Sequence, residues 1–587
     1  LTDIFDMLFS AKNKDTKPAP AAKLDVSLFG QFGNLPKPYK DAGRQDLEKS
    51  THLEKLARYE TAPERLLQEA AHILSHLNRL KMKAEKRFAL TQAMVGQVYP
   101  VISRWYEKFH KQDSSLPEGH ERRNALEASI KAAEQLAISY KILFHENYSA
   151  NPGSFARHKR ELSLYGLRVL EMIRLIQRLK ALRYQSLGKT DWLDVNQVFF
   201  GMSLHNAVKD KHTLLGVVGV KEKQSKQERS AVPGGSIEDV YISIQLFGLL
   251  EINSWPTSLF HVPDSYLDLL GPECFQIKGD TRAPLQPGLL VTYLKRDGPP
   301  LFQRRDEIGS PSILFDYKVL YNSLVKDHEI MGKMQFLSSF DPGKLSKPLQ
   351  QLDDGDRLPL LESMLLGLKQ RSRQQKRHRV YSPEALRVYF GRKEVMRLLR
   401  DLASGDQEHV KNSRQFVDTL AKQSSLLADD DKNYLSSHWS IINFSSGGML
   451  IGTEESAFST PIKIGQIMAF SPIDADLDRI TLGYINRLHR TDDNRVEAAI
   501  VRLSTHAEAV VYQSDKDMQA KSGHSAILVK DQYNHWQLLV ATGAHIKSGD
   551  PLKLIRADGS RLPVRLGDVW LTKKSFSMFE LRSPGLE

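Results

Sequence analysis

The chain has 587 residues, 41% hydrophobic and 26% charged, with a net charge of +12; that length suits about three or four separate cores, and the mixture is that of a globular protein rather than a disordered or fibrous one. A single cysteine, Cys274, excludes an internal disulfide framework and fits a reducing compartment, and no apolar run reaches the length of a membrane span. The 82 basic residues against 70 acidic ones favour an anionic partner without choosing between nucleotide, nucleic acid and membrane surface.

The opening residues lack the basic region of a secretory signal, so a cytoplasmic location is expected. Residues 1–50 read as a flexible tail, interrupted by Lys17-Pro18-Ala19-Pro20 and Pro36-Lys37-Pro38. Within it Leu1, Ile4, Phe5, Leu8 and Phe9 fall on one helical face. Such a segment either docks a partner groove or folds back on its own domain.

Residues 51–192 read as a bundle of three to five antiparallel helices. Pro63-Glu64 after Thr61 is a helix start, followed by Leu66, Leu67, Ala70, Ile73, Leu74, Leu77 and Leu80 on one face. Glycine and proline cluster between helical segments, at Pro117 to Gly119 and Asn151 to Gly153. Residues 193–340 change texture. Runs at 213–220, 240–252 and 288–294 are β-branched or leucine-rich and predict a mixed α/β or mostly β domain. Over 341–369 a linking helix is expected, with Leu360, Leu361, Met364, Leu365 and Leu368 on one face after Asp356-Arg357-Leu358-Pro359.

From 370 to 506 the chain is strand-rich. Strands at 386–390, 439–443, 448–452, 462–470, 480–488 and 496–503 predict a six-stranded antiparallel barrel. A helical insertion is expected at 391–437, marked by Val395, Leu398, Leu399 and Leu402, then Phe416, Val417 and Leu420. Residues 507–587 predict a second small all-β module, with Asp558-Gly559 as a hairpin turn. The fold class is therefore multidomain α+β.

Two stretches carry chemistry. Arg371 to Arg379 is a basic segment containing R-x-x-x-R at Arg373 and Arg377, with Arg379 beside them. Asn443-Phe444-Ser445-Ser446-Gly447-Gly448 reads N-x-S-x-x-G between two apolar runs. Guanidinium forks bind phosphate bidentately and stack on purines. Asn443 offers polar atoms to a guanine edge, Ser445 a hydroxyl, and Gly447 and Gly448 let the backbone approach a ligand closely. A basic segment, a first strand and a strand–turn–strand of this kind resemble the PilZ family, bacterial receptors for cyclic di-GMP. The resemblance covers about residues 370–505. It implies that Arg373 and Arg377 contact phosphate and guanine while Asn443, Ser445 and Gly448 line the barrel wall. Asn486 and Arg487, on a later strand, are further candidate contacts. Two departures stand out. The family turn usually begins with aspartate, and here the long interval 378–442 separates the arginines from the turn.

The expected function is a non-enzymatic cyclic di-GMP receptor that regulates an unidentified protein partner, in motility, pili, exopolysaccharide or adhesion. Cyclic di-GMP is the expected ligand, no cofactor or metal is called for, and a homo-oligomer is one expected state. Two alternatives stay open: nucleic-acid binding through the basic 369–379 segment, and a barrel that acts only as an interaction scaffold. Asp474, Asp476 and Asp478 imitate the start of a calcium loop, but Arg479 stands where its glycine is needed. No P-loop, H-E-x-x-H or G-x-S-x-G motif occurs.

Overall fold

The computed structural model describes residues 32–33, 35–39, 49–111, 120–149, 155–215, 234–250, 252–277, 288–301, 312–334, 341–369, 385–403, 437–445, 448–456, 459, 462–473, 480–491, 493–514, 523–531, 535–573 and 575–582. The amphipathic segment expected at Leu1 to Phe9 lies outside these residues. So do the basic segment 370–384 and the second half of the expected insertion, 404–436. The chain divides into two compact units, one formed by 1–252 and 257–372 and the other by 253–256 and 373–587.

The first unit begins with helices α1 (Lys49–Ala57), α2 (Pro63–Leu77), α3 (Ala84–Lys111), α4 (His120–Ser149), α5 (Phe155–Ala181) and α6 (Lys189–Leu204). Pro63 opens α2 where its missing N–H costs nothing, and Leu66, Leu67, Ala70, Ile73, Leu74 and Leu77 are buried at the predicted spacing. Helix α6 runs across residue 192 without a break. Its Asp194 meets Lys141 of α4 at 2.5 Å, both side chains almost fully buried. Arg178 of α5 is held between Asp264 (2.8 Å) and the Ser243 hydroxyl (3.0 Å), with its guanidinium 4.2 Å from the centre of the Phe247 ring.

The run that starts at 240 is not a strand. Residues 240–249 belong to α7 (Ile237–Leu249), which is capped by Ser236 and Asp239 in a reciprocal pair of hydrogen bonds. The helix is buried around most of its circumference, so its sequence lacks the polar stripe that reveals a surface helix. The short pair β1 (His212–Thr213) and β2 (Gly234–Gly235) precedes it. Helix α8 (His261–Leu270) follows, then a three-stranded antiparallel sheet of β3 (Phe275–Ile277), β4 (Leu289–Tyr293) and β5 (Ser312–Asp316), with β5 central. Helices α9 (Lys318–Met334), α10 (Lys347–Gln350) and α11 (Asp354–Gly367) complete the unit. Leu360, Leu361, Met364, Leu365 and Leu368 are buried as the spacing requires. The helix starts before Asp356, which places Pro359 inside it. Among the described residues no helix is long and apolar enough to cross a membrane.

The second unit contains two closed six-stranded antiparallel barrels. The first consists of β6 (Ala385–Phe390), β7 (Ser437–Ser445), β8 (Gly448–Glu454), β9 (Ile467–Pro472), β10 (Thr481–Arg490) and β11 (Arg495–Ser504). Around the ring the order is β6-β7-β8-β11-β10-β9. Trp439, Leu386, Val388, Ile451, Met468, Phe470, Ile485, Leu488, Ala498 and Ile500 are all buried in this barrel, and Phe390 meets Trp439 edge to face at 5.6 Å. The run expected as a strand from 462 becomes one only at Ile467, because Gly465 turns with φ of 76°. Helix α12 (Arg392–Ala403) leaves β6 as the predicted insertion, with Val395, Met396, Leu398 and Leu399 buried.

The second barrel consists of β12 (His506–Gln513), β13 (His524–Lys530), β14 (Trp536–Ala541), β15 (Pro551–Ile555), β16 (Arg561–Lys573) and β17 (Phe576–Arg582). Asp558 and Gly559 turn between β15 and β16 as expected, with Gly559 at φ of 80°.

Candidate functional site

The N-x-S-x-x-G stretch forms the connection between β7 and β8. Ser445 ends β7 opposite Gly448, the first residue of β8. Residues 446 and 447 lie outside the described residues, as do Arg373, Arg377 and Arg379. The expected meeting of Gly447 and the three arginines with the turn therefore falls beyond what the structure describes.

Gly448 is needed for close packing of backbone. A Cβ built there would stand 2.1 Å from the Ile500 carbonyl oxygen of β11. No side chain is tolerated at such a contact without moving one strand against the other. Gly483 on β10 approaches the same stretch of β11 from the other side, where a Cβ would lie 2.7 Å from the Val501 carbonyl oxygen. The two glycines thus draw β8 and β10 tightly against the end of β11.

Two bulges then decide which side chains share a face. The β7–β8 register shifts between Ile441 and Asn443, and the β10–β11 register shifts between Ile485 and Arg487. Each inserts one residue, Ile442 and Asn486 respectively, and so reverses the inside–outside alternation beyond it. Asn443 pairs with Leu450, Leu450 with Ala499, and Ala499 with Arg487. These four residues form one continuous row across four strands. The flanking rows carry Ile451 and Ala498 on one side and Ile500 and Ile485 on the other, all buried and pointing inward, while Phe444 at the β7 end of the second row is exposed. The row of Asn443 and Arg487 therefore faces outward. Each of its four residues is half-buried.

A second outward row comprises Ser440, Gly452, Glu497 and His489. Gly452 leaves room that the Ile442 side chain enters, with its Cδ1 2.8 Å from where a Cβ would be. On the other side of the Asn443 row, Gly448 pairs with Val501 and Val501 with Tyr484. Burial pushes the Tyr484 phenol above its ordinary pKa, so it stays neutral at physiological pH. The outer face is thus a shallow floor of Gly448, Leu450, Gly452 and Ala499, bordered by an amide at one side and a guanidinium at the other. Such a surface can hold a flat, anionic molecule by apolar contact below and hydrogen bonds at its edge.

Asn443 and Arg487 were both candidates from the sequence, and the structure sets them in one row. Asn486 occupies the bulge position and lies outside the cross-strand pairing. Leu450, Ala499, Glu497 and His489 were not singled out; once the structure shows Ile451, Ala498 and Leu488 buried, alternation along β8, β11 and β10 places them outward. Where β10 ends and the chain leaves β8, Arg490 and Glu455 form an almost fully buried ion pair at 3.2 Å. Among the described residues no group of three or more His, Cys, Asp or Glu side chains is placed to hold a metal ion.

Residues 58–274 match the family model described as "Cyclic-di-GMP receptor FimW, N-terminal domain". No curated protein and no solved structure matches the chain. The matched segment runs from the end of α1 to Cys274, ahead of both barrels. It supports a cyclic-di-GMP receptor and does not bear on the resemblance to PilZ proteins, which falls on about residues 370–505.

Proposed function

We propose that the chain is a cyclic di-GMP receptor of the PilZ type, with its ligand on the outer face of the first barrel. The observation that carries this reading is the N-x-S-x-x-G turn, seated at the β7–β8 corner of a closed six-stranded barrel. There Gly448 packs backbone on backbone, and Asn443 shares an outward row with Arg487. The family match over 58–274 supports the same ligand from a separate part of the chain.

In this reading Arg373 and Arg377 grip the phosphates and stack on guanine, with Arg379 adding charge. Asn443 meets a guanine edge, Ser445, Gly447 and Gly448 let the ligand lie close to the backbone, and Arg487 borders the far side. The ligand neutralises a segment in which like charges crowd together and fixes it to the barrel. That ordered segment then alters the surface available to a protein partner, in motility, pili, exopolysaccharide or adhesion. The protein acts as a receptor and not as a catalyst, and its setting is the cytoplasm.

Calorimetric titration of the full chain with cyclic di-GMP tests this. Arg377→Ala removes charge-assisted bonds worth about 2–3 kcal/mol, so binding weakens about 100-fold. Asn443→Asp gives the guanine N1–H and N2–H two charged acceptors and tightens binding. Wild-type protein that gives no heat with the dinucleotide, yet shifts labelled single-stranded DNA or RNA with a steep salt dependence, would replace this reading with nucleic-acid binding.

A further inference from the structure

The two barrels have the same topology. With each barrel's six strands lettered in chain order, both rings run first-second-third-sixth-fifth-fourth, and every neighbouring pair is antiparallel. The face of the second barrel that corresponds to the Asn443–Arg487 face is therefore the outer side of β13, β14, β17 and β16.

That face is apolar and covered. Ile527, Leu539, Met578 and Leu571 form its cross-strand row, continued by Ala509 on β12. Ile527 and Leu539 are wholly inaccessible, and the row belongs to one hydrophobic core with Val395, Met396, Leu398 and Leu399 of α12. The same core takes Tyr389, Ile467, Ala469, Leu482 and Tyr484 from the first barrel, with Val501 packed against it. Two arginines of α12 fasten the helix to β13. Arg392 donates to the Ser525 carbonyl oxygen at 3.0 Å, and Arg400 to the Ser525 hydroxyl at 3.2 Å.

The second barrel also lacks the other parts of the clamp. Only Thr505 separates β11 from β12, so no basic segment can precede its first strand. Its corner between the second and third strands reads Asp531-Gln532-Tyr533-Asn534-His535, with no glycine and no serine.

We infer that the second barrel is a copy of the first whose ligand-type face has become permanently buried in the core it shares with α12 and the first barrel, where Tyr484 meets Phe576 and Ser575 donates to the Gly465 carbonyl oxygen, so that of the two barrels the first alone offers a dinucleotide face. The same strand framework thus serves two recognition tasks: a polar, glycine-floored surface for an anionic nucleotide and an apolar surface that packs against α12 and the neighbouring barrel. The insertion between β6 and β7 joins them. Through it, the barrel that carries the turn is anchored to a neighbour that takes no ligand.

The assignment of the dinucleotide face rests on the function proposed above, and the assignment of the buried face does not. The experiment therefore has two arms, both on the full chain. In the ligand-free arm, amide exchange is compared between wild type and Leu398→Ser. The milder Arg392→Ala/Arg400→Ala double variant guards against loss of folding. Exchange at residues 527–529, 538–540 and 577–579 is expected to quicken about tenfold or more, while 449–451 stays protected. Unchanged protection in β13, β14 and β17 in both variants would overturn the buried face. In the ligand arm, the Asn443→Ala/Arg487→Ala double variant is titrated with cyclic di-GMP. Loss of all saturable binding is expected, and a remaining class of sites removed by substitution in the second barrel would overturn the single face. Absence of binding to wild type would defeat the proposed function and the one-face assignment, while the exchange arm would still decide the buried face.

Discussion

Substituting Gly448→Ala will separate β8 from β11 and abolish the outer face of the first barrel as a binding surface. The added methyl stands 2.1 Å from the Ile500 carbonyl oxygen, well inside contact distance, and the obstacle is main chain, which cannot rotate aside. Relief requires β8 to lift from β11. That move breaks the ladder joining residues 448–454 to 495–501 and misplaces Leu450 and Asn443, which depend on it for register. A cost of about 3 kcal/mol or more follows from overpacking against rigid backbone. Gly452→Ala is the informative comparison. Its nearest obstacle is Ile442 Cδ1 at 2.8 Å, the far end of a side chain that can change rotamer. It should cost about 1 kcal/mol and leave the ladder intact. Because the chain has several cooperative parts, a single melting temperature is a poor readout. Amide exchange resolved over 448–454 and 495–501, paired with calorimetry, separates the two glycines. Native exchange and native affinity in Gly448→Ala would show that the turn glycine has no packing role.

The strands of both barrels were legible because each alternates over a short span between turn residues. In the first barrel the first strand, expected at 386–390, is observed at Ala385–Phe390, and the last, expected at 496–503, at Arg495–Ser504. The outward row was not legible. One extra residue at Ile442 and another at Asn486 reverse the alternation in two strands at the same level of the barrel, and no side-chain type announces a bulge. Asn443 entered through its motif and Arg487 through its neighbourhood, but their shared row needed the register. The likeness of the barrels was hidden for a related reason. Topology is set by which strands pair, while the two outer faces differ in chemistry, with Asn443, Leu450, Ala499 and Arg487 in one and Ile527, Leu539, Met578 and Leu571 in the other.

Helix α7 shows the opposite failure, a signal present and outweighed. Its β-branched and leucine residues suggested a strand, because a helix buried nearly all round has no polar stripe to betray its period. The decisive clue was local. Ser236 and Asp239 stand three apart at its start, and the structure shows each side chain accepting from the other's backbone N–H. A capping pair reports on a terminus that solvent patterning cannot reveal.

The buried pair of Lys141 and Asp194 yields the second large effect, within residues 58–274, the segment that matches the receptor family model. Lys141→Met should destabilise that unit by about 3–5 kcal/mol at neutral pH, because it leaves a carboxylate almost without access to water. Lys141 approaches to 2.5 Å, and among the described residues neither Asp194 oxygen gains a further hydrogen bond partner. Burial already raises the Asp194 pKa from its ordinary value, outweighing the attraction of the lysine that lowers it. With the lysine gone, only the raising influence remains. The folded state then holds a proton that the unfolded state releases, so the unfolded chain binds fewer protons and stability falls as pH rises. Acidifying Lys141→Met from neutral pH toward the unfolded carboxyl pKa should therefore recover stability, a direction opposite to ordinary acid denaturation. Adding Asp194→Leu to Lys141→Met removes the orphaned charge, and the double variant should approach wild type and lose the anomalous pH dependence. Urea titrations of the three proteins at neutral pH and near pH 5, followed by a probe in α4 or α6, give the comparison. A single variant that weakens further on acidification, or a double variant no better than the single, would mean that the charge of Asp194 is not what the lysine is there to compensate.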